Sequence, residues 1–540
     1  MAKSRMFSPQ TIKRFTSVHS WIGIATGMAL FIAFYAGAIT MYAEALHQWA
    51  NPELRQSSGT MAQLDRLVSV VAAEPASGGN FSVALGEGER PSASYFEGND
   101  RSLPQQTRVL DERLAVAPRQ TLSEIRHFIN QIHFTLGLPF TAGFLLMGVV
   151  SLVYFLALVT GVLIHLPHLL ADLYALRVGR NLKRLWLDAH NVVGVLSLPF
   201  HLMFAFTGFL FSAFLVMPGL MQTLTPTPAP SKAYLAEGRF GESKFGDSKA
   251  DKAPASVVAM LPASRLIAIA NGRVDGFQPS GISYTAYGTE QASAKVTGHL
   301  RTELIAQASV VVSPITGEIL KVDAPGERST GLVLENSYLS LHVGEFGGEI
   351  MRAIYFLLGL AGAFLFFSGN LLWIESRRRR RQSAQPGSGW VMAQVTLGIC
   401  LGCCLGIGFA LLGNRLLVAG VVTQQPLEAN MYFIGFFASL MWALARPPSR
   451  GGVELLFACA VVYAVLPILN AVLTRENLLV AIREQLWGVA SIDLMLASLA
   501  VSFGLAGRAA WRRACFGPPN SVWSLTGQPG LSTAGREATQ

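Results

Sequence analysis

Charge is scarce in this chain: Asp, Glu, Lys and Arg make up 14% of its 540 residues, against 51% hydrophobic residues and a mean hydropathy of +0.40. A soluble chain carries about 25% charged residues. The shortage excludes an ordinary soluble domain and leaves a polytopic membrane protein as the expectation. Cysteine is sparse too, five in all, and none falls within the long polar segments 44–137 and 217–350. A disulfide framework is therefore excluded for those segments. Nowhere do a strand, GxGxxG and a helix follow in order, which argues against flavin or nicotinamide binding within this chain. Histidine is missing from everything beyond His342.

Apolar segments of spanning length, about 20 residues each, fall near 19–43, 138–166, 190–216, 351–374, 390–413, 428–446, 452–473 and 487–508. The net charge of +9 raises nucleic acid as a partner, but the basic residues gather beside these segments. They form KSR near the start, the Arg177 to Arg184 segment, Arg377 to Arg381, RPPSR around Arg446, and Arg508 to Arg513. Taking alternate ends of the eight spans as cytoplasmic puts every cluster on one side, so the partner is the lipid bilayer and not nucleic acid. Both termini are then cytoplasmic. No cleavable signal peptide is expected, because the first apolar segment is long and has no small-residue cleavage site before Glu44.

These features divide the chain into a first span (1–43), an outer segment (44–137), second and third spans with a basic loop (138–216), and a linker with a second outer segment (217–350). A fourth span with an Arg-rich end (351–381), four further spans (382–513) and a tail (514–540) complete it. Each outer segment holds strand-like runs and one short amphipathic helix, as in SVVAMLPASRLIAIA from Ser256 followed by VVVSPITGEILKV from Val310. Pro314 and Gly317 mark a turn in the latter. Residues 222–255, with TPTPAPSKAY, read as a flexible linker. The expected fold class is an all-α polytopic bundle of about eight transmembrane helices with small α+β domains outside the membrane.

The first span reads HSWIG from His19 and carries Gly37 eighteen residues later; the third reads HNVVG from His190 and carries Gly208 eighteen residues later. His133 stands before a segment ending VTGVLIH at Gly161, and His342 before one ending FSGNLLW at Gly369. The first four spans are thus a duplicated helix pair, a pattern that places its copies around an axis along the membrane normal.

Four histidines at matching positions of a duplicated unit point to cofactor binding. A single boundary histidine is ordinarily amphipathic filler, but imidazoles presented in pairs from facing helices suit haem iron with its two axial positions. Zinc would want three or four ligands converging on one point. The symmetry pairs His19 with His190 near the cytoplasmic face and His133 with His342 near the opposite face. One continuous helix from His133 to His165 would be about 48 Å long and would hold the pairs far apart. Either Gly137 and Pro139 bend the second span, or His201 supplies an intermediate ligand. On a continuous third span, His190 and His201 would leave the same helix face. His201 has Leu30 as its repeat counterpart and is read either as a ligand or as a packed core residue. Cys400, Cys403 and Cys404 read as packing residues. His165, His168, Arg177, Arg180, Lys183 and Arg184 lie at the basic boundary, where haem propionates or plain interfacial placement are the alternatives. Arg126 and His127 are either a substrate entrance or solvated.

HSWIG, HFTLG with TGVLIH, DAHNVVG with its TGF, and SLHVGEFGG together resemble the PepSY-associated transmembrane helix proteins, and VVVSPITGEIL resembles the PepSY turn motif, with Ser313 where Asp often stands. The resemblance covers roughly residues 10–380 and implies PepSY-like periplasmic domains and a multi-pass bacterial inner-membrane protein of an iron-regulated type. Members bind two b-type haems and reduce ferric siderophores; the matching histidines are His19, His133, His190 and His342. The expectation is a haem b oxidoreductase delivering electrons to a periplasmic ferric siderophore, from quinol or a separate reductase, with His201 a further candidate cofactor-binding residue. A non-enzymatic PepSY module that binds a partner or regulates a peptidase is the alternative. A transporter is a weaker one, since the spans show few buried carboxylates or broken helices.

Overall fold

The computed structural model describes residues 8–55, 61–86, 89–99, 106–110, 122–166, 181–224, 258–300, 304–305, 307–328, 330–344, 346–378, 385–420 and 426–525. Eight helices among them are long and apolar enough to cross a membrane. The first half of the chain contributes α1 (Pro9–Thr40), α2 (Ala43–Ala50), α3 (Met61–Ala72), α4 (Ile125–Thr135), α5 (Phe140–His165), α6 (Leu182–Leu196), α7 (Leu198–Leu224) and α8 (Ala263–Arg273). The second half contributes α9 (Thr330–Val343), α10 (Gly348–Ser376), α11 (Gly387–Val418), α12 (Leu427–Ala445), α13 (Pro448–Thr474), α14 (Leu478–Arg483) and α15 (Trp487–Phe516). The linker at 225–255, His168, Arg177 and Arg180 lie outside the described residues.

Local sequence explains where the spans begin and break. Ser8 caps α1 by accepting the Thr11 N–H, with Pro9 in the first turn, as helix starts prefer. The second span is not one helix. α4 ends at Leu136 (φ 59°) and Gly137 (φ 76°), and Pro139 caps α5. The fourth span repeats this device: α9 ends at Gly344 (φ 71°), and Gly347 and Gly348, also at positive φ, lead into α10. The third span is broken as well, so His190 and His201 lie on two helices and not on the one continuous helix expected. α6 stops at Ser197, and Pro199, which has no N–H to continue the ladder, sits in the first turn of α7.

α1, α5, α7 and α10 form one bundle, with α6 against α10 and α4 against α1. The last four spans form a second bundle in which α11 packs on α12 and α13, and α13 on α15. It joins the first through α1, α2 and α10.

The seven strands are β1 (Phe81–Ala84), β2 (Ser92–Tyr95), β3 (Gln106–Val109), β4 (Phe277–Thr285), β5 (Ser293–Leu300), β6 (Gln307–Val312) and β7 (Ile319–Asp323). They form one antiparallel sheet in the order β3-β2-β1-β4-β5-β6-β7. β1 pairs with β4 in the register Ser82 to Ser283. The two outer segments, read from sequence as separate units, are therefore one domain, each contributing a helix followed by strands. α3 and α8 cover one face, where Asp65 accepts from the Ser264 N–H (2.8 Å) and hydroxyl (2.5 Å). The expected turn after Val312 closes β6 onto β7, with the Gly317 N–H donating to Ser313 O at 2.9 Å.

Candidate functional site: two histidine pairs in the duplicated bundle

The duplicated helices bring the four motif histidines together two by two. His19 on α1 and His190 on α6 have ring centroids 6.2 Å apart, at the end of the bundle that carries the basic clusters. His133 on α4 and His342 on α9 have centroids 6.0 Å apart, at the end facing the sheet domain. Because α4 and α9 are separated from their spans by glycine turns, His133 reaches back to α1 beside Ala33. His19 and Ala33 are fourteen residues apart on α1, about 21 Å of helical rise. That is the axial separation of the two pairs, in place of the length a continuous second span would impose.

Each of the four rings is fixed through Nδ1. His19 Nδ1 lies 2.9 Å from Ala157 O, His133 Nδ1 2.7 Å from Ala33 O, and His190 Nδ1 3.1 Å from Leu365 O. His342 Nδ1 lies 2.6 Å from Thr207 Oγ1, whose own hydrogen is given to Met203 O at 2.8 Å. All four partners are therefore acceptors at that contact, so all four Nδ1 atoms carry the proton and donate. The neutral tautomer left by this arrangement has its lone pair on Nε2. Ala157 and Leu365 each stand four residues before the matching glycines, Gly161 and Gly369, so the duplication extends to the backbone acceptors.

Glycine makes room for the rings. A Cβ on Gly161 would lie 3.1 Å from His19 Cε1, and one on Gly369 3.3 Å from His190 Cε1. A Cβ on Gly37 would lie 2.6 Å from His133 Nδ1, closer than real contacts allow.

Two imidazoles on opposite sides of one metal ion, with metal–nitrogen distances of about 2 Å as at zinc, have ring centres about 6 Å apart. Both pairs meet that spacing. Among the described residues no three His, Cys, Asp or Glu converge on a point, so the arrangement suits a metal that brings its own equatorial ligands, which is haem.

His201 on α7 joins neither pair. It is fully buried, with Nδ1 at 2.6 Å from the Tyr154 hydroxyl. His165 ends α5 at the basic end and is half-buried; Lys183 and Arg184 begin α6 and are exposed. Outside the membrane, Arg126 pairs with Glu44 at 3.0 Å and His127 with Glu124 at 3.6 Å. Cys400, Cys403, Cys404 and Cys459 are free thiols packed in the core of the second bundle.

A polar cluster in the second bundle left no mark in the histidine pattern. Arg415, 1% exposed, lies 3.7 Å over the Trp49 ring and donates to Trp49 O and Asn470 Oδ1, each at 2.8 Å. Asp493 accepts from Trp49 Nε1 at 2.8 Å and from Asn470 Nδ2 at 3.1 Å. The cluster fastens α11, α13 and α15 to α2. Thr207 and Tyr154 were likewise unforeseen, although Thr207 sits in the TGF that marks the repeat.

Fold and site together define a multi-pass helical membrane protein, with a duplicated two-span unit carrying paired histidines and a small α+β domain between the spans. Residues 16–376 match the PepSY-associated TM region family, and the chain belongs to that family. It is also similar to an uncharacterised protein of Pseudomonas aeruginosa, 25% identical over 312 residues, which are 56% of this chain and 75% of the relative.

Proposed function

We propose that the protein is a di-haem electron carrier of the bacterial inner membrane that reduces a ferric siderophore on the side of the sheet domain. The observation that carries this reading is the Nδ1 pattern: four histidines, two by two at haem-ligand spacing, each with Nδ1–H donating and Nε2 left as a lone pair. His19 and His190 would hold one haem b, and His133 and His342 the other. Bound haem supplies reversible one-electron chemistry, which needs no general acid or base from the protein.

The chain's own residues do the rest. Ala157 O, Ala33 O, Leu365 O and Thr207 Oγ1 hold the ring planes and raise ligand basicity, as outer partners of ligating histidines do. The apolar spans keep water away from both pairs. Ferric iron bound to a siderophore through hard oxygen donors is the substrate, because reduction to ferrous iron weakens that ligation and releases the metal. The test uses purified protein reconstituted in vesicles with an internal reductant. Formation of an external ferrous chelate from a ferric siderophore supports the reading, and haem-loaded protein that leaves the siderophore ferric removes the substrate assignment.

A further inference from the structure

His201 differs from the four paired histidines in one chemical respect. Its Nδ1 faces a hydroxyl, that of Tyr154, and not a carbonyl. A buried hydroxyl gives its hydrogen to an acceptor, and among the described residues His201 Nδ1 is the acceptor within reach of Tyr154. Tyr154 therefore donates, Nδ1 accepts, and the neutral imidazole carries its proton on Nε2. That is the opposite tautomer to His19, His133, His190 and His342. A protonated Nε2 has no lone pair for a metal, so His201 is a donor and not a fifth ligand. Its Nε2 has no acceptor among the described residues.

Its position lies between the two pairs. The ring is 5.5 Å from Phe34, which follows the Ala33 that holds His133, and 6.3 Å from Phe366, which follows the Leu365 that holds His190. Thr207, which holds His342, stands six residues after His201 on α7, about 9 Å of rise, and His190 lies across the break at Ser197. Phe204, three residues after His201, has its ring 4.9 Å from His342.

The donor also breaks the duplication. His201 and Leu30 each stand seven residues before their repeat glycines, as do Tyr154 and Gly362. One copy holds a histidine and the other a leucine; one holds a tyrosine and the other a glycine. A Cβ at Gly362 would lie 3.1 Å from His201 Cε1, so the missing side chain is what admits the ring.

We infer that His201, oriented by Tyr154, is a positioning residue that gives the two haem centres unequal potentials. An N–H dipole without a protein acceptor favours the state that carries an added electron, and in a dry interior its effect is weakly screened. The centre whose iron lies closer to that N–H is the more stabilised in its reduced form, and the two centres cease to be equivalent. This rests on the haem reading proposed above.

The test is potentiometric titration of the full-length protein, followed by visible absorption. His342→Leu identifies the domain-side component by its loss. In His201→Leu, which installs the residue of the other copy, both low-spin centres should remain. The two midpoints should move negative by unequal amounts, so that their separation changes, and an equal shift of both would overturn the inference. His201→Gln, which keeps an N–H, should recover part of the shift. Loss of a low-spin centre in His201→Leu would make His201 a ligand and overturn the inference. Two unmoved midpoints would reduce it to packing and overturn it equally. If His201→Leu does not assemble, Tyr154→Phe decides by the same readout, because it removes the hydroxyl that sets the tautomer. Wild-type protein without haem bands would instead remove the function proposed above.

Discussion

Five histidines in the duplicated spans have two different chemistries, set by what faces Nδ1. The positions of four were legible in the sequence because the repeat marks them with glycines at fixed distances. The tautomers were not, since three of the acceptors are backbone carbonyls, and any residue can supply a carbonyl. Thr207 is the exception and is testable. Thr207→Val removes the acceptor for His342 Nδ1 and should weaken the proposed domain-side haem about 10- to 100-fold, read as selective loss of one centre during dilution or dialysis. Equal retention of both centres would deny Thr207 that role. A second residue governs pH behaviour outside the membrane. Glu89, 7% exposed, has its carboxyl pushed up to about 7, first by burial and then by Glu44. A raised acid supports folding fully below its ordinary value of 4.5, and that support is lost as pH rises to about 7. Glu89→Gln should flatten the fall in thermal stability across that window; an unaltered slope would clear Glu89 as its source.

At the scale of elements, the breaks in the spans decide the geometry. Hydropathy places the second span at 138–166 and does not say whether a helix from His133 runs straight into it, because an apolar window registers composition and not backbone direction. Gly137 and Pro139 signalled the bend, and Gly344, Gly347 and Gly348 repeat it on the matching side, with Gly344 at φ 71° where other residues are strained. The Ser197 break was harder to read, since Pro199 in a first turn is compatible with either a new helix or a kink. The close approach of α4 to α1 gives a sharp prediction. Gly37→Ala places a methyl within 2.6 Å of His133 Nδ1, so the variant should lose the domain-side centre while His19 and His190 keep theirs. A variant spectrum identical to wild type would show that α4 yields without displacing the ligand.

For the molecule as a whole, the joined sheet was the least legible feature. Strands β1 and β4 are separated by most of two spans and a linker, and no local pattern announces so distant a partner. Its register is open to a direct chemical check. Both outer segments are free of cysteine, so Ser82→Cys with Ser283→Cys, directly opposite in the ladder, should form a disulfide when the purified protein is oxidised. Two persistent free thiols would refute the pairing. The second bundle depends on its buried polar cluster. Asp493→Leu strands the Trp49 and Asn470 donors and removes from Arg415 one of its carboxylate countercharges, Glu53 and Glu428 being the others, which should cost about 3 kcal/mol, seen as a lower unfolding temperature with the proposed haem centres still present. Haem content against ligand identity reaches the heart of the paired-site claim. Two b-type haems per wild-type chain are expected, with His19→Leu and His190→Leu each losing the same centre, and His133→Leu and His342→Leu each losing the other. A wild-type chain without a reducible Soret and α band, or loss of different centres by His19→Leu and His190→Leu, would contradict it.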